Sequence, residues 1–266
     1  MIYDTKVLRS SDSTIEIWTY EHPIASSRLP KEKSKRQKSN FDDLSTSDQQ
    51  SRLNRIAKYR KSVRWTVTRL VDANFDDRTS FLTLTTKKNI DDRHTFNLLF
   101  DKFLKRLNYN IFGTKKRLLK YLAVLERQSR GAFHAHIIIF DVPFISHKEL
   151  LKLWNQGSVY INKIDVDSKS NRGRYVSKYF VKGAAQELLE SYGKKAYYSS
   201  RNLKHPKVYK INKQQAEIDD YFDVKKVLYE AEYTSRVFVD GELLPNKVSY
   251  KKVELKKSNL YQRELT

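Results

Sequence analysis

Apolar and polar positions along the chain alternate between two periods. "TIEIWTY" (Thr14 to Tyr20) alternates at period two and is rich in β-branched residues, which predicts a strand. Residues 24–50 are polar, charged and Ser-rich, and read as a linker. From Arg52 to Leu70, Ile56, Val63, Val67 and Leu70 recur at helical spacing. "SFLTLTT" (Ser80 to Thr86) sets Phe81, Thr83 and Thr85 against Leu82, Leu84 and Thr86, a strand with one well-buried face. Phe96, Leu99, Phe100, Phe103 and Leu107 then mark an amphipathic helix, with Asn89 or an early Asp as its cap. "LLKYLAVLERQ" and "AFHAHIIIF" predict two strands joined through "SRG" as a hairpin. "SHKELLKLWNQG" has Ser146 and Glu149 in the positions of a capping box, with Gly157 just past the helix end. "SVYINKIDV" reads as a strand, "RYVSKYFVKGAAQELLESYGKK" as a helix, and "RVFVDGELL" as a small hairpin about Asp240-Gly241. No internal repeat is present. Hairpins mixed with helices predict an α+β fold, a central antiparallel β-sheet with flanking helices on one or both faces.

Charge changes the picture. The 266 residues carry 52 Lys and Arg against 31 Asp and Glu, a formal net charge of +21 that points to a polyanionic partner. The 17 Tyr and 13 Phe, mixed with the basic residues, suit stacking on unpaired bases. The helix of residues 52–70 holds Arg52, Arg55, Lys58, Arg60, Lys61, Arg64 and Arg69 with no acidic residue between them, which assigns it to phosphate contact. The run "KEKSKRQK" reads as a solvated basic linker. The absence of cysteine excludes disulfides and thiolate metal sites. No apolar run approaches a membrane span and the start of the chain has no signal-type apolar region, so the expectation is a cytoplasmic protein with no membrane partner.

Only six histidines occur, and two of them, His134 and His136, open an apolar strand. Period-two alternation puts both on one face, with Ala135, Ile137 and Ile139 on the other, the expected core side. Glu126 and Gln128 sit similarly on the preceding strand. If the hairpin pairs, Glu126 comes beside the imidazoles. Two imidazoles and a carboxylate with open positions can hold a divalent cation and admit a substrate oxygen. Further along, Tyr175 and Tyr179 are four residues apart, as are Lys178 and Lys182. On a helix each pair shares a face, with Cβ atoms roughly 6 Å apart.

The blocks "FLTLT", "HAHIII" and "YVSKYFVK" occur in that order. Together they resemble the HUH endonucleases, and within them the rolling-circle replication initiators of plasmids and small phages. Ala135 takes the small middle place of the His-x-His block, and the overlapping Tyr-x-x-Lys blocks resemble the two-tyrosine type. Wider similarity, including "TRLVDANF", "LKYLAVLE" and "YYSSRNLKHP", runs from about Arg55 to Pro206 and is to initiators of low-GC Gram-positive bacteria.

The resemblance implies a ferredoxin/RRM-like palm and a division into three. Residues 1–50 would be an N-terminal strand and basic linker, 51–210 the endonuclease domain led by the basic helix, and 211–266 a C-terminal extension. It implies Glu126, His134 and His136 as ligands of Mg²⁺ or Mn²⁺, with Gln128 supporting them from Glu126's face. Tyr179 would be the first nucleophile and Tyr175 the second, with Lys182 or Lys178 stabilising charge and Arg174 adding a DNA contact. The product would be a 5′-phosphotyrosine and a free 3′-OH primer. The expected partners are DNA, as a single-stranded nick site and a duplex or hairpin origin, and a host helicase and polymerase. "SYGKKAYY" lacks the upstream Gly and the Ser/Thr of a phosphate loop, so no nucleotide cofactor is expected. A relaxase or transposase of the same superfamily would share these blocks. A non-catalytic basic DNA-binding regulator or an RNA-binding ribosome-associated protein would explain the charge but not the blocks.

Overall fold

A computed structural model describes residues 1–25, 40–128, 130–162, 196–212, 222–239 and 241–256. The chain divides into two compact units, one of residues 39–204 and one made by residues 1–38 together with 205–266. In chain order, the terminal unit begins with β1 (Ile2–Ser11) and β2 (Thr14–Ala25). The other unit follows with α1 (Thr46–Asn74), β3 (Ser80–Leu84), α2 (Arg93–Phe112), β4 (Lys120–Arg127), β5 (Phe133–Phe140), α3 (His147–Trp154), β6 (Val159–Asn162) and β7 (Tyr198–Ser199). The terminal unit closes with β8 (Lys207–Ile211), β9 (Val224–Val239) and β10 (Glu242–Leu255). The class is α+β, with two antiparallel sheets and three helices among the described residues.

In the unit of residues 39–204 the strand order is β6-β3-β5-β4-β7. The β4–β5 hairpin turns where Gln128 N–H donates to Ala132 C=O and Gly131 adopts φ 87°, a conformation that favours glycine. Both faces of this sheet are covered. Leu82, Leu84, Ala135, Ile137 and Ile139 pack under α2 and α3, against Phe96, Phe103 and Trp154. On the opposite face Phe81, Leu122, Val124, Ile138 and Phe140 pack under Val63, Val67, Leu70 and Val71 of α1. The expectation of a single core side is therefore corrected. The face that carries His134 and His136 becomes a second core two residues further on, because α1 lies over it. Each large aliphatic side chain buried there contributes about 1.5–3 kcal/mol.

Local signals explain where the helices begin and end. Ser45 caps α1 by accepting from Asp48 N–H, so the helix starts six residues before the basic run at Arg52, inside the segment read as linker. Asp92 caps α2 through His94 and Thr95 N–H, and Gly113 ends it at φ 63°. In α3 only half of the capping box forms. Ser146 Oγ accepts from Glu149 N–H, but the Glu149 carboxylate accepts instead from Asn110 Nδ2 at 2.9 Å. That helix stops at Asn155, in the left-handed region, and not at Gly157. Gly157 serves a close approach: a Cβ there would run into Thr85 O and stand 2.7 Å from Lys87 N. Thr85 N–H and Lys87 N–H donate across this contact to Ser158 and Gln156, which seats β6 on β3.

The terminal unit is a sheet of order β8-β1-β2-β10-β9. One face carries a small core of Val7, Ile15, Ile17 and Val253, with Tyr209 and Ile211 packed against it. The hairpin foreseen in "RVFVDGELL" forms, with Val239 opposite Glu242 and Gly241 at φ 89°, but its strands are 16 and 14 residues long. Asp240 lies outside the described residues.

Candidate functional site

Strand register assembles the site. Glu126 lies directly opposite His134 and Val124 opposite His136 on the β4–β5 ladder, so Glu126, His134 and His136 project from one face. Nε2 of His134 is 3.2 Å, and Nε2 of His136 is 2.7 Å, from the same Glu126 oxygen, Oε2. One ligand atom from each residue lies within 4.8 Å of the other two. The rings stand edge-on with centroids 4.6 Å apart. His136 is nearly buried and stacks on Phe81 at 5.9 Å and 15°.

The electrostatics suit a cation. Hydrogen bonds from His134 and then His136 hold the Glu126 carboxyl well below its usual range, at about 2. It is therefore a carboxylate at any physiological pH. Ligation through Nε2 requires a lone pair there, which places the ring proton on Nδ1. His136 Nδ1 is 3.1 Å from Thr83 Oγ1, an acceptor that selects this tautomer and fixes the ring. His134 Nδ1 is buried and has no hydrogen-bond partner among the described residues. Two imidazoles, one carboxylate and this outer support fit a divalent ion with positions left open.

Thr83 is the residue that sequence reasoning missed. Its signal was available in the alternation of "SFLTLTT", where Thr83 interrupts an apolar face, but only pairing of Thr83 with His136 gives that hydroxyl a task. Gln128 has a different partner from the one expected of it: its Oε1 accepts from Arg130 Nε at 3.0 Å. Arg130 in turn donates to Thr86 C=O and ties the turn to the end of β3. Arg174, Tyr175, Lys178, Tyr179 and Lys182 lie outside the described residues.

Residues 79–184 match the model of a family of replication-associated proteins, the ORF2 type. The comparisons with curated proteins and with solved structures gave no match. The matched segment begins one residue before β3 and contains Thr83, Glu126, His134 and His136. It also spans the stretch with Tyr175 and Tyr179.

The basic helix lies on the same side of the sheet as the triad, since α1 packs on Phe81, Val124 and Ile138, whose side chains share the histidines' face. Arg55, Lys58, Lys61 and Arg64 are exposed. Arg52, Arg60 and Arg69 are partly buried; Arg52 lies 5.9 Å from the Phe41 ring and Arg69 5.8 Å from that of Trp65. Tyr59 and Trp65 are exposed among these cations. Among the described residues, no helix is long and apolar enough to cross a membrane.

Proposed function

We propose that this chain is a rolling-circle replication initiator that nicks and rejoins one DNA strand through a phosphotyrosine. The observation that carries the proposal is the convergence of Glu126, His134 and His136 on one point, inside the segment that matches a replication-associated family. Replication-associated proteins act on DNA, and the charge of +21 and the exposed cations of α1 agree with such a partner.

In this reading Glu126, His134 and His136 hold Mg²⁺ or Mn²⁺. When bound, such an ion supplies Lewis-acid stabilisation of negative charge on the scissile phosphate. Thr83 holds His136 in its ligating tautomer. The Tyr179 oxygen attacks phosphorus, forming a tyrosine O–P bond as the bond from phosphorus to the 3′ oxygen breaks. The phenol proton is released and the departing oxygen is protonated to a 3′-OH primer. In the reverse direction a 3′-OH attacks the phosphotyrosine and phenolate leaves; with a reference pKa near 10 it is a competent leaving group. Lys182 or Lys178 stabilises charge on the phosphate or the phenolate. Tyr175 carries out the second exchange. The bond energy passes through the enzyme, so rejoining needs no nucleotide cofactor.

The deciding experiment incubates the protein with a supercoiled plasmid bearing the element's own origin, with Mn²⁺ and with EDTA. Mass spectrometry then maps any adduct. Metal-dependent nicking with nucleotide on Tyr179 or Tyr175 supports the reading, and an active protein with no tyrosine adduct rejects it.

The α1 face gives a separate expectation for binding. Alanine at Lys58, Lys61 and Arg64 is expected to flatten the dependence of log affinity on log salt by about 0.9 for each phosphate these cations neutralise. Cleavage of a short oligonucleotide at saturation should stay near the parent rate. A salt slope equal to the parent's would assign these cations to solvent.

A further inference from the structure

The terminal unit presents an aromatic surface that the metal centre does not use. The register of its sheet sets three rows side by side on the face opposite the Val7, Ile15, Ile17 and Val253 core. The middle row runs Lys210, Lys6, Trp18, Tyr250, Ala231 across β8, β1, β2, β10 and β9. Tyr20, Val248 and Tyr233 flank it on one side, and Glu16, Lys252 and Tyr229 on the other. The rings touch: Trp18 and Tyr250 have centroids 5.1 Å apart, and Tyr250 and Tyr229 6.0 Å. The Lys6 ammonium stands 4.4 Å from the Trp18 ring.

Packing accounts for some of these rings but not for all. Tyr250 is 9% exposed, with its hydroxyl donating to Glu16 at 3.0 Å, so it belongs to the floor of the surface. Tyr229 and Tyr233 are 51% and 48% exposed, on the edge strand, where an isolated protein gains little from an aromatic ring. Lysines stand among the rings: Lys6, Lys210 and Lys252. The Glu16 carboxylate is buried, and Glu254 at the far end of the face pairs with Lys225.

We infer that this face of the terminal sheet, with Trp18, Tyr229 and Tyr233 as its rings and Lys6, Lys210 and Lys252 at its phosphates, is a second nucleic-acid site that takes single-stranded DNA. Unpaired bases offer faces to stack on half-exposed tyrosines, and lysines between the rings match the backbone charge. A duplex keeps its base faces stacked inside and cannot use the rings. The site goes beyond the proposed cleavage chemistry and needs neither metal nor a tyrosine nucleophile.

The test measures binding of the full chain in EDTA, so that no cleavage intervenes. The probe is fluorescein-labelled oligothymidylate of about 20 nucleotides, long enough to cover such a site. Tyr229→Ala with Tyr233→Ala is expected to weaken binding by about fivefold per ring, the low end of the stacking range. The matching double change to Phe keeps the faces and should bind like the parent. Affinity for a duplex of equal length should change by less than about twofold, since a duplex does not stack on the rings. Photocross-linking of a bromouracil-substituted strand to the parent protein should place adducts on Trp18, Tyr229 or Tyr233. Parent-like binding by the Ala variant, an equal loss in the Phe variant or on duplex, or cross-links confined to residues 39–204 each overturns the assignment. None of these outcomes bears on the metal centre, whose own test is nicking.

Discussion

Alanine at His134 or at His136 is expected to abolish metal-dependent nicking, lowering the rate by about three orders of magnitude. A Lewis acid at a phosphate is worth several kcal/mol of barrier, and each 1.36 kcal/mol is tenfold. Loss of one imidazole leaves two ligands where three converge within 4.8 Å. The metal-free melting temperature serves as the folding control. Mn²⁺ should raise that temperature in the parent and not in the variants, because an ion that binds only the folded state stabilises it by mass action. Removing the metal from the parent with EDTA should have the same effect on rate, reversed by Mn²⁺ at a lower concentration than Mg²⁺, since nitrogen donors favour the former. Thr83→Val should be graded: it keeps the shape, removes the acceptor 3.1 Å from His136 Nδ1, and should weaken metal binding by about 10- to 100-fold. Full activity of the parent in EDTA would falsify the metal centre.

Phenylalanine at Tyr179 is expected to remove initial nicking by at least about 10³-fold, as loss of a nucleophile does, while duplex affinity is retained. Phe preserves the bulk of the ring and deletes only the attacking oxygen. Tyr175→Phe should still nick but fail at the second exchange, so nicked intermediates accumulate and closed circles are few. The double change should form no covalent adduct. Nucleotide recovered on Tyr175 alone reverses the order of the two residues; an active enzyme with adduct on neither removes the tyrosine chemistry altogether.

Much of the unit holding the site was legible because its signals are local. The helix of Phe96, Phe100, Phe103 and Leu107, the strand at Phe81, and the hairpin that sets Glu126 opposite His134 all follow from periodicity and turn residues. Errors fell where a local signal had a tertiary competitor. Glu149 could have closed its capping box but bonds Asn110 on α2. Gly157 could have ended a helix but is required where two backbones meet. The strand β9 escaped notice because "VKKVLYEAEYTSRVFV" carries charged and apolar residues on an edge exposed on both faces, so burial writes no clean alternation into it.

The sequence by itself determined the residue chemistry: a carboxylate and two imidazoles at spacings that a hairpin can unite, a cationic helix without counter-charge, and an excess of aromatic rings. Those depend only on side-chain identity and on the fixed periods of helix and strand. Tertiary structure decided which faces are shared. It put α1 over the histidines' face, aligned Thr83 with His136, and paired β2 with β10, so that segments from the two ends of the chain form one sheet and gather Trp18, Tyr229 and Tyr233 on one surface. Such pairings join residues far apart along the chain, and their selection rests on burial of apolar area, which has no sequence separation at which to look for it.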